Sequence, residues 1–408
     1  MKLLEKRQQL LILLGCLILF GGCGQGRVKE NLSGIAVNEG LIRINVDTIT
    51  RESKINYSDI FDGIEIIALE TKEECLIGQV DQLEIVNDTI YILDSFSAKA
   101  LFLFDLEGRF IRKIGVVGRG PGEFNRPDFF SIDDAKKQIY VLDRNTRRVL
   151  VFSNTGEHLK SLTLQGNLIF NQIVFDRDII LVDNLVRDGG SKYWLHAIDL
   201  EGNELEKWMD SDVYNKGCTA LITVSNNFFK SSYDVKYFKP FSDTIFSIQD
   251  RKIKPFLTLE SSNRATVDDI AELNKIEDVR ELTRSFISFK KLNGISHYIE
   301  NSKLISFEYR NERLTYSLFR FAQTGEMLGA HMVTDDYTGC FPAQDFIGAY
   351  NDFFVSAFDM HGKSLEKLID NIRDNKIKLS KENYQKLLKV RLDDNPVLVL
   401  YKCKDRLN

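Results

Sequence analysis

The chain has 408 residues, 43% hydrophobic and 28% charged, enough to bury a large core in one domain or two, and it does not have the composition of a disordered polypeptide. A net charge of −5 argues against a general nucleic-acid binder, which needs a basic field to release counterions. The 28 Phe and 14 Tyr against six Pro suit β-rich packing, where aromatic side chains fill half-buried pleats.

Lys2, Lys6 and Arg7 precede an apolar run from Leu10 to Phe20 that is too short for a bilayer core of about 30 Å, so residues 1–22 read as a signal peptide. The run ends in Phe20-Gly21-Gly22-Cys23, which resembles a bacterial lipobox, and that resemblance implies cleavage and acylation at Cys23. Cys16 also follows small and apolar residues but leaves too short a run before it. Residues 23–39 read as a lipidated tether, and Gly40 to Asp47, GLIRINVD, as an early strand.

Self-similarity organises the remainder. IYILDSFSAKALFLFDLEGRFIRKIG starts at Ile90, and IYVLDRNTRRVLVFSNTGEHLKSLTL starts at Ile139, 49 residues later. Each reads as three strands with a polar loop after Asp94 or Asp143 and a tight hairpin at Gly108 or Gly156. A third copy starts at Ile179, with an insertion at Asp188-Gly189-Gly190. Weaker copies cover Tyr233 to Glu260 and His297 to Val333, and a last one runs from Phe346 to Met360 and resumes at Asn395 to Lys404.

Six such units predict an all-β, six-bladed propeller over residues 40–408, because a four-stranded sheet covers both faces only by stacking on its neighbours. GIEIIALET (Gly63 to Thr71) precedes the first unit and the last unit lacks an outer strand, so the two are expected to join. Thr266 and Asp269 have capping-box spacing, and 265–291 reads as a helical insertion; 363–394 reads as two short helices.

The lipobox, the leading IEIIALET, the IYVLD…VFSNTGE units and the closing NPVLVLYK together resemble the six-bladed β-propeller lipoproteins of Bacteroides-type bacteria, relatives of NHL-repeat propellers. The resemblance covers roughly residues 40–404 and implies a fold and a cell-envelope location but no particular activity. It also reads the glycine-rich stretch GVVGRGPGEFNRP (115–127) as a junction between blades. A phosphate loop would need Gly-Lys-Ser/Thr opening a helix, and none follows Gly122.

On the face that carries this junction, Arg119, Glu123 and Arg126 are expected beside Lys99, Arg144, Arg147 and Arg148, an arginine-rich patch able to hold an anionic group. The alternative is that Asp94, Asp143 and Asp128 pair with these arginines and tie blades together. No metal-ligand spacing links the five His or the Cys, so no zinc site is predicted. A divalent cation in the axial channel is compatible with Asp134, Asn184 or Glu308, and Tyr193, Trp194 and Trp208 with stacking on a sugar. The sequence therefore supports a non-catalytic scaffold for an envelope protein, peptide or glycan, with a metal-assisted lyase or hydrolase at the channel mouth as the other reading.

Overall fold

The computed structural model describes residues 40–49, 51–52, 54–185, 190–210, 226–231, 233–239, 242–276, 278–340, 345–358, 364–374 and 379–407. Six sheets of four antiparallel strands follow one another in chain order. Blade 1 comprises Gln82–Val86, Thr89–Asp94, Ala100–Asp105 and Phe110–Ile114; blade 2 comprises Phe129–Asp133, Gln138–Asp143, Arg148–Ser153 and His158–Thr163. In blade 3 the strands are Phe170–Asp176, Ile179–Asn184, Tyr193–Ile198 and Glu204–Asp210, and in blade 4 Phe228–Lys230, Val235–Tyr237, Thr244–Gln249 and Lys252–Glu260. Blade 5 is Ile295–Glu300, Leu304–Asn311, Leu314–Phe321 and Met327–Ala330.

Blade 6 takes Gly348–Tyr350, Phe353–Phe358 and Val397–Cys403 from the C-terminal end of the chain and its outer strand, Phe61–Ala68, from the N-terminal end. Val399 lies opposite Ile66 and Leu398 opposite Ile67 in an antiparallel ladder. The expected closure is therefore present. The joining strand buries Phe61 and Ile66, apolar side chains worth about 1.5–3 kcal/mol each when withdrawn from water.

The middle strands are apolar on both faces (Ile90 to Leu93 and Ile139 to Leu142 are all buried) because each sheet is covered on either side by a neighbour. The core is divided accordingly. One apolar cluster fills each of the six interfaces, for example Tyr91, Leu93, Leu101 and Leu103 against Phe130, Ile132 and Ile139 between blades 1 and 2. First strands line the axis and are tied to one another: Gln82 exchanges two hydrogen bonds with the Phe130 backbone, and Ser131 Oγ accepts from the Phe175 amide.

Gly108 and Gly156 do occupy positive φ, +80° and +90°. At Gly108 a Cβ would also collide with the Ala68 carbonyl, so the hairpin of blade 1 nests against the closing strand. The expected helical insertions are Val267–Asn274 and Val279–Ser288, between blades 4 and 5, and Ser364–Arg373 and Lys381–Leu387, within blade 6. Thr266 and Asp269 form the anticipated capping box.

Beyond residue 40 the early segment is more than a strand on a tether. Ile42–Asn45 adds a parallel fifth strand to blade 4, Arg51–Glu52 a parallel fifth strand to blade 5, and Ile55–Asn56 pairs with Val333–Thr334. The chain thus straps the outside of blades 4 and 5 before entering blade 6. Its own Ile44 and Val46 side chains are buried against the blades. Cys75, Cys340 and Cys403 are buried free thiols, while Cys16, Cys23, Cys218, His361 and the 188–189 insertion lie outside the described residues.

Candidate functional site

The 115–127 stretch runs from the outer strand of blade 1 to the first strand of blade 2, as a blade junction does. It closes on itself: Val116–Val117 pairs with Glu123–Phe124, the Gly118 amide donates to Phe124 O at 3.0 Å, and the Gly120 amide donates to Glu123 Oε2 at 2.7 Å. Gly122 has φ +75° and packs so closely on His158 that a Cβ would clash.

The arginines expected around this junction are largely used in holding it. Arg126 and Arg144 both reach Asp128 Oδ1, at 2.5 and 3.0 Å, and the Asp128 side chain is fully buried. Arg126 also lies over the Phe96 ring, Arg148 donates to Glu123 O, and Arg147 donates to Gly166 O and Leu168 O of the next junction. Only part of the expected aspartate pairing is therefore found. Asp94 and Asp143 instead accept backbone amides, from Gly78, Gln79 and Ser97 and from Asn125 and Thr146, because each side chain closes its own loop. Lys99 and Arg119 remain exposed.

A large opening is on the other face. A cavity of about 770 Å³ lies at the axis where the hairpins joining first and second strands converge, and five blades contribute to it. Blade 1 supplies Glu84 and Asn87, blade 2 Asp134, and blade 4 Lys230 and Tyr233; blades 5 and 6 supply Asn301 and Asp352. First strands point their last residues into this funnel because each ends at a tight turn. Asn87 and Asp88 take φ of 46° and 58°, the left-handed pair a two-residue hairpin needs.

The charges of the funnel are mostly compensated. Asp134 pairs with Lys137 at 2.6 Å and is bonded by Asn87, and Asp352 pairs with Lys303 at 3.2 Å. Glu300 is held by Lys236 at 3.0 Å, and Lys236 also bonds Asp234 at 2.7 Å. Burial pushes the Glu84 carboxyl up to about 7, against the opposing influence of Lys230 and the Gln82 hydrogen bond. Burial likewise lowers the Lys230 ammonium, opposed by Glu84, Asp176, Asp133 and Asp134. Lys230 donates to Ile132 O at 2.7 Å and so bridges the funnel from blade 4 to blade 2. The result is a polar vestibule of amides, hydroxyls and carboxylates, in which Lys303 and Lys236 are each shared by two carboxylates and the half-exposed Tyr233 ring stands on the rim.

The other sequence candidates separate in space. Asp134 lines the funnel, Asn184 is buried and bonded to Ile169, Ser191 and Tyr193 backbone, and Glu308 lies between blades 5 and 6. Among the described residues no three His, Cys, Asp or Glu side chains are grouped to hold a metal ion. Trp194 is a core residue, 1% exposed, and Trp208 packs against the cluster between blades 3 and 4. Lys192 and Lys207 lie over the Tyr193 ring. Sequence reasoning missed Lys230 and Tyr233, whose blade is the least regular copy of the repeat.

Ring, closure and funnel define a six-bladed β-propeller with an open axial vestibule. The chain belongs to the DUF4934 family, a domain of unknown function, which it matches over residues 41–402. Its fold is shared by a Bacteroides fragilis protein described as exported, at 17% identity and a TM-score of 0.68, covering 89% of this chain and 99% of the other. A DUF4221-family protein of Bacteroides vulgatus is similar at 9% identity and a TM-score of 0.50, covering 84% and 97%.

Proposed function

We propose that this protein is an exported, envelope-anchored recognition propeller, lipidated at Cys23, whose axial funnel holds a segment of a polar partner without chemically altering it. Of the partner classes open to it, protein, peptide or glycan, a glycan suits the funnel best. The observation that carries this reading is the 770 Å³ vestibule, lined from five blades by amides, hydroxyls and carboxylates held by neighbouring lysines. Such a surface offers many hydrogen-bonding groups to a polyhydroxylated chain, and its carboxylates disfavour a strongly anionic one. Tyr233, 47% exposed at the rim, supplies an amphipathic ring of the kind that stacks on sugar faces.

The leader, the lipobox-like Cys23 and the export of a protein sharing the fold support the envelope location. The test is a glycan array probed with the mature soluble domain and with its Tyr233→Ala and Asp134→Ala variants. Retention of one glycan class by the parent, lost in both variants and kept in Arg119→Ala, is the expected result. Retention unaffected by either funnel substitution would overturn the assignment. Labelling of the full chain with a fatty-acid analogue, abolished by Cys23→Ala, checks the anchor.

A further inference from the structure

In the interface between blades 5 and 6 the apolar cluster built on Leu304, Phe319 and Phe321 gives way, further along the same strands, to polar residues. Facing the next blade, the second strand of blade 1 presents Tyr91 and Leu93, and that of blade 2 presents Tyr140 and Leu142, all in apolar clusters. Counted from the hairpin, the equivalent positions of blade 5 hold Ser306 and Glu308. Opposite them, where blade 1 has Leu101 across from Leu93, blade 5 has Ser317 across from Glu308. A leucine pair has become a carboxylate and a hydroxyl. The slot is left open as a cavity of about 350 Å³, walled on the far side by Asp345, Phe346 and Tyr57.

A polar residue at this position is not by itself a site, as blade 3 demonstrates. There Asp183 takes the place of Leu93, but it is fully buried and accepts from Asn171, Asn227 and Tyr237 at 2.7 to 2.9 Å, leaving no vacancy. Glu308 differs. Its partner is one histidine, with Nδ1 of His297 at 3.0 Å from Oε2, and both side chains remain in contact with solvent inside the cleft.

His297 is placed there at a conformational cost. It takes φ +50° at a bulge, where the ladder to the second strand slips between Ser296 and Ile299. Bulges that re-aim a side chain, and non-glycine residues held in the left-handed region, concentrate at functional sites.

We infer that this cleft binds an organic ammonium group, with Glu308 and Asp345 as its anionic partners and the His297 imidazolium as the internal cation that the ligand replaces. Among the described residues two carboxylates face the cavity and no Lys or Arg lines it. Arg310, on the same strand as Glu308, turns away to the Ile287 carbonyl and the Phe286 ring. The other titratable groups facing the cleft among the described residues are His331 and Tyr57. Glu308 bonding, then its charge and that of Asp345, raise the His297 proton affinity against burial. Burial raises the Asp345 carboxyl, opposed by His297 and assisted by Glu308. Phe346 and Tyr57, stacked 5.4 Å apart, form an apolar wall that leaves the carboxylates as the groups a cation meets.

A bound ammonium favours neutral His297, so binding releases a proton and affinity rises with pH, approaching about tenfold per unit below the histidine midpoint. Titration calorimetry of the mature domain with putrescine, butanediol and succinate, which share a four-carbon spine and differ in charge, tests this between pH 6 and 8. Saturable putrescine binding that tightens about fivefold or more over that range is expected. Glu308→Gln should weaken it at least about tenfold, and His297→Gln should flatten its pH dependence.

Because Glu308→Gln could also disturb folding, the double variant Glu308→Leu/Ser317→Leu restores the apolar pair of blade 1; it should fold and bind no putrescine. Equal affinity for butanediol or succinate, binding that survives either Glu308 change, or a pH-independent affinity would overturn the inference. The funnel reading does not depend on it, since Tyr233→Ala and Asp134→Ala leave this cleft intact.

Discussion

Asn395 Oδ1 accepts a hydrogen bond from the Ile77 amide at 2.8 Å, 318 positions earlier in the chain. The same side chain donates to Glu70 O and Cys75 O, both at 2.7 Å, and its backbone amide donates to Thr71 Oγ1. One residue at the start of the last strand therefore latches the segment that leads from the closing strand into blade 1. Asn395→Ala leaves buried backbone groups unpaired and should lower stability by about 2–4 kcal/mol, read from urea midpoints at unchanged m. A loss below about 0.5 kcal/mol would mean that the ladder alone closes the ring.

The strap protects the outer edges of blades 4 and 5, which would otherwise expose unpaired backbone. Removal of residues 1–53 is expected to lower the melting temperature and to produce oligomers by light scattering. Ile44→Asp, at a position 1% exposed, should do the same within the intact chain.

Glu84 gives the funnel a pH signature. Its folded carboxyl titrates at about 7 against an ordinary value of 4.5, so the protonated form is the one the fold favours. The stability linked to that proton is complete below pH 4.5 and is lost as pH rises through 7. Glu84→Gln should then melt higher than the parent at pH 8 and together with it at pH 4, as thermal scans would show.

Lys236 sits 1% exposed between Asp234 and Glu300, and Tyr298 donates to the second oxygen of Glu300 at 2.7 Å. Burial disfavours its charge, but Glu300 and Asp234 outweigh burial and raise it above 10.5. Lys236→Met should cost about 3–5 kcal/mol at pH 7, because two buried carboxylates lose their partner. The contribution is intact below pH 10.5 and is lost as pH rises above it through the raised folded value. The gap between parent and variant in chemical unfolding should narrow accordingly.

Around the glycine-rich junction the arginines are expected to behave unequally. Arg126→Ala strips a charge partner from fully buried Asp128 and should destabilise by about 1–2 kcal/mol, softened by the remaining Arg144. Arg119→Ala, at an exposed position, should change stability by less than about 0.5 kcal/mol. Denaturation of the two side by side checks this.

The ring was legible because its determinants are local and repeated: apolar runs such as Ile90 to Leu93, a turn glycine at Gly108, and an orphan strand at each end. The arginine cluster was legible as a neighbourhood but not as a role. Sequence spacing does not reveal that Asp128 is buried while Asp143 accepts amides. The funnel draws single residues from five hairpins, and no spacing rule joins Glu84 to Lys230 or Asp352. The cleft did leave a trace. Glu308 and Ser317 occupy positions that are leucine in blade 1, a departure visible only once the weak fifth copy is in register with the first.

The central claim is that the hairpin face, and not the glycine-loop face, meets the partner. Amide hydrogen exchange of the mature domain, with and without its captured glycan, measures this directly. Protection confined to the hairpins around 87–88, 134–137, 231–234, 301–303 and 351–352 is the predicted result. Protection of 118–126 and 144–148, with the hairpins unchanged, would contradict it.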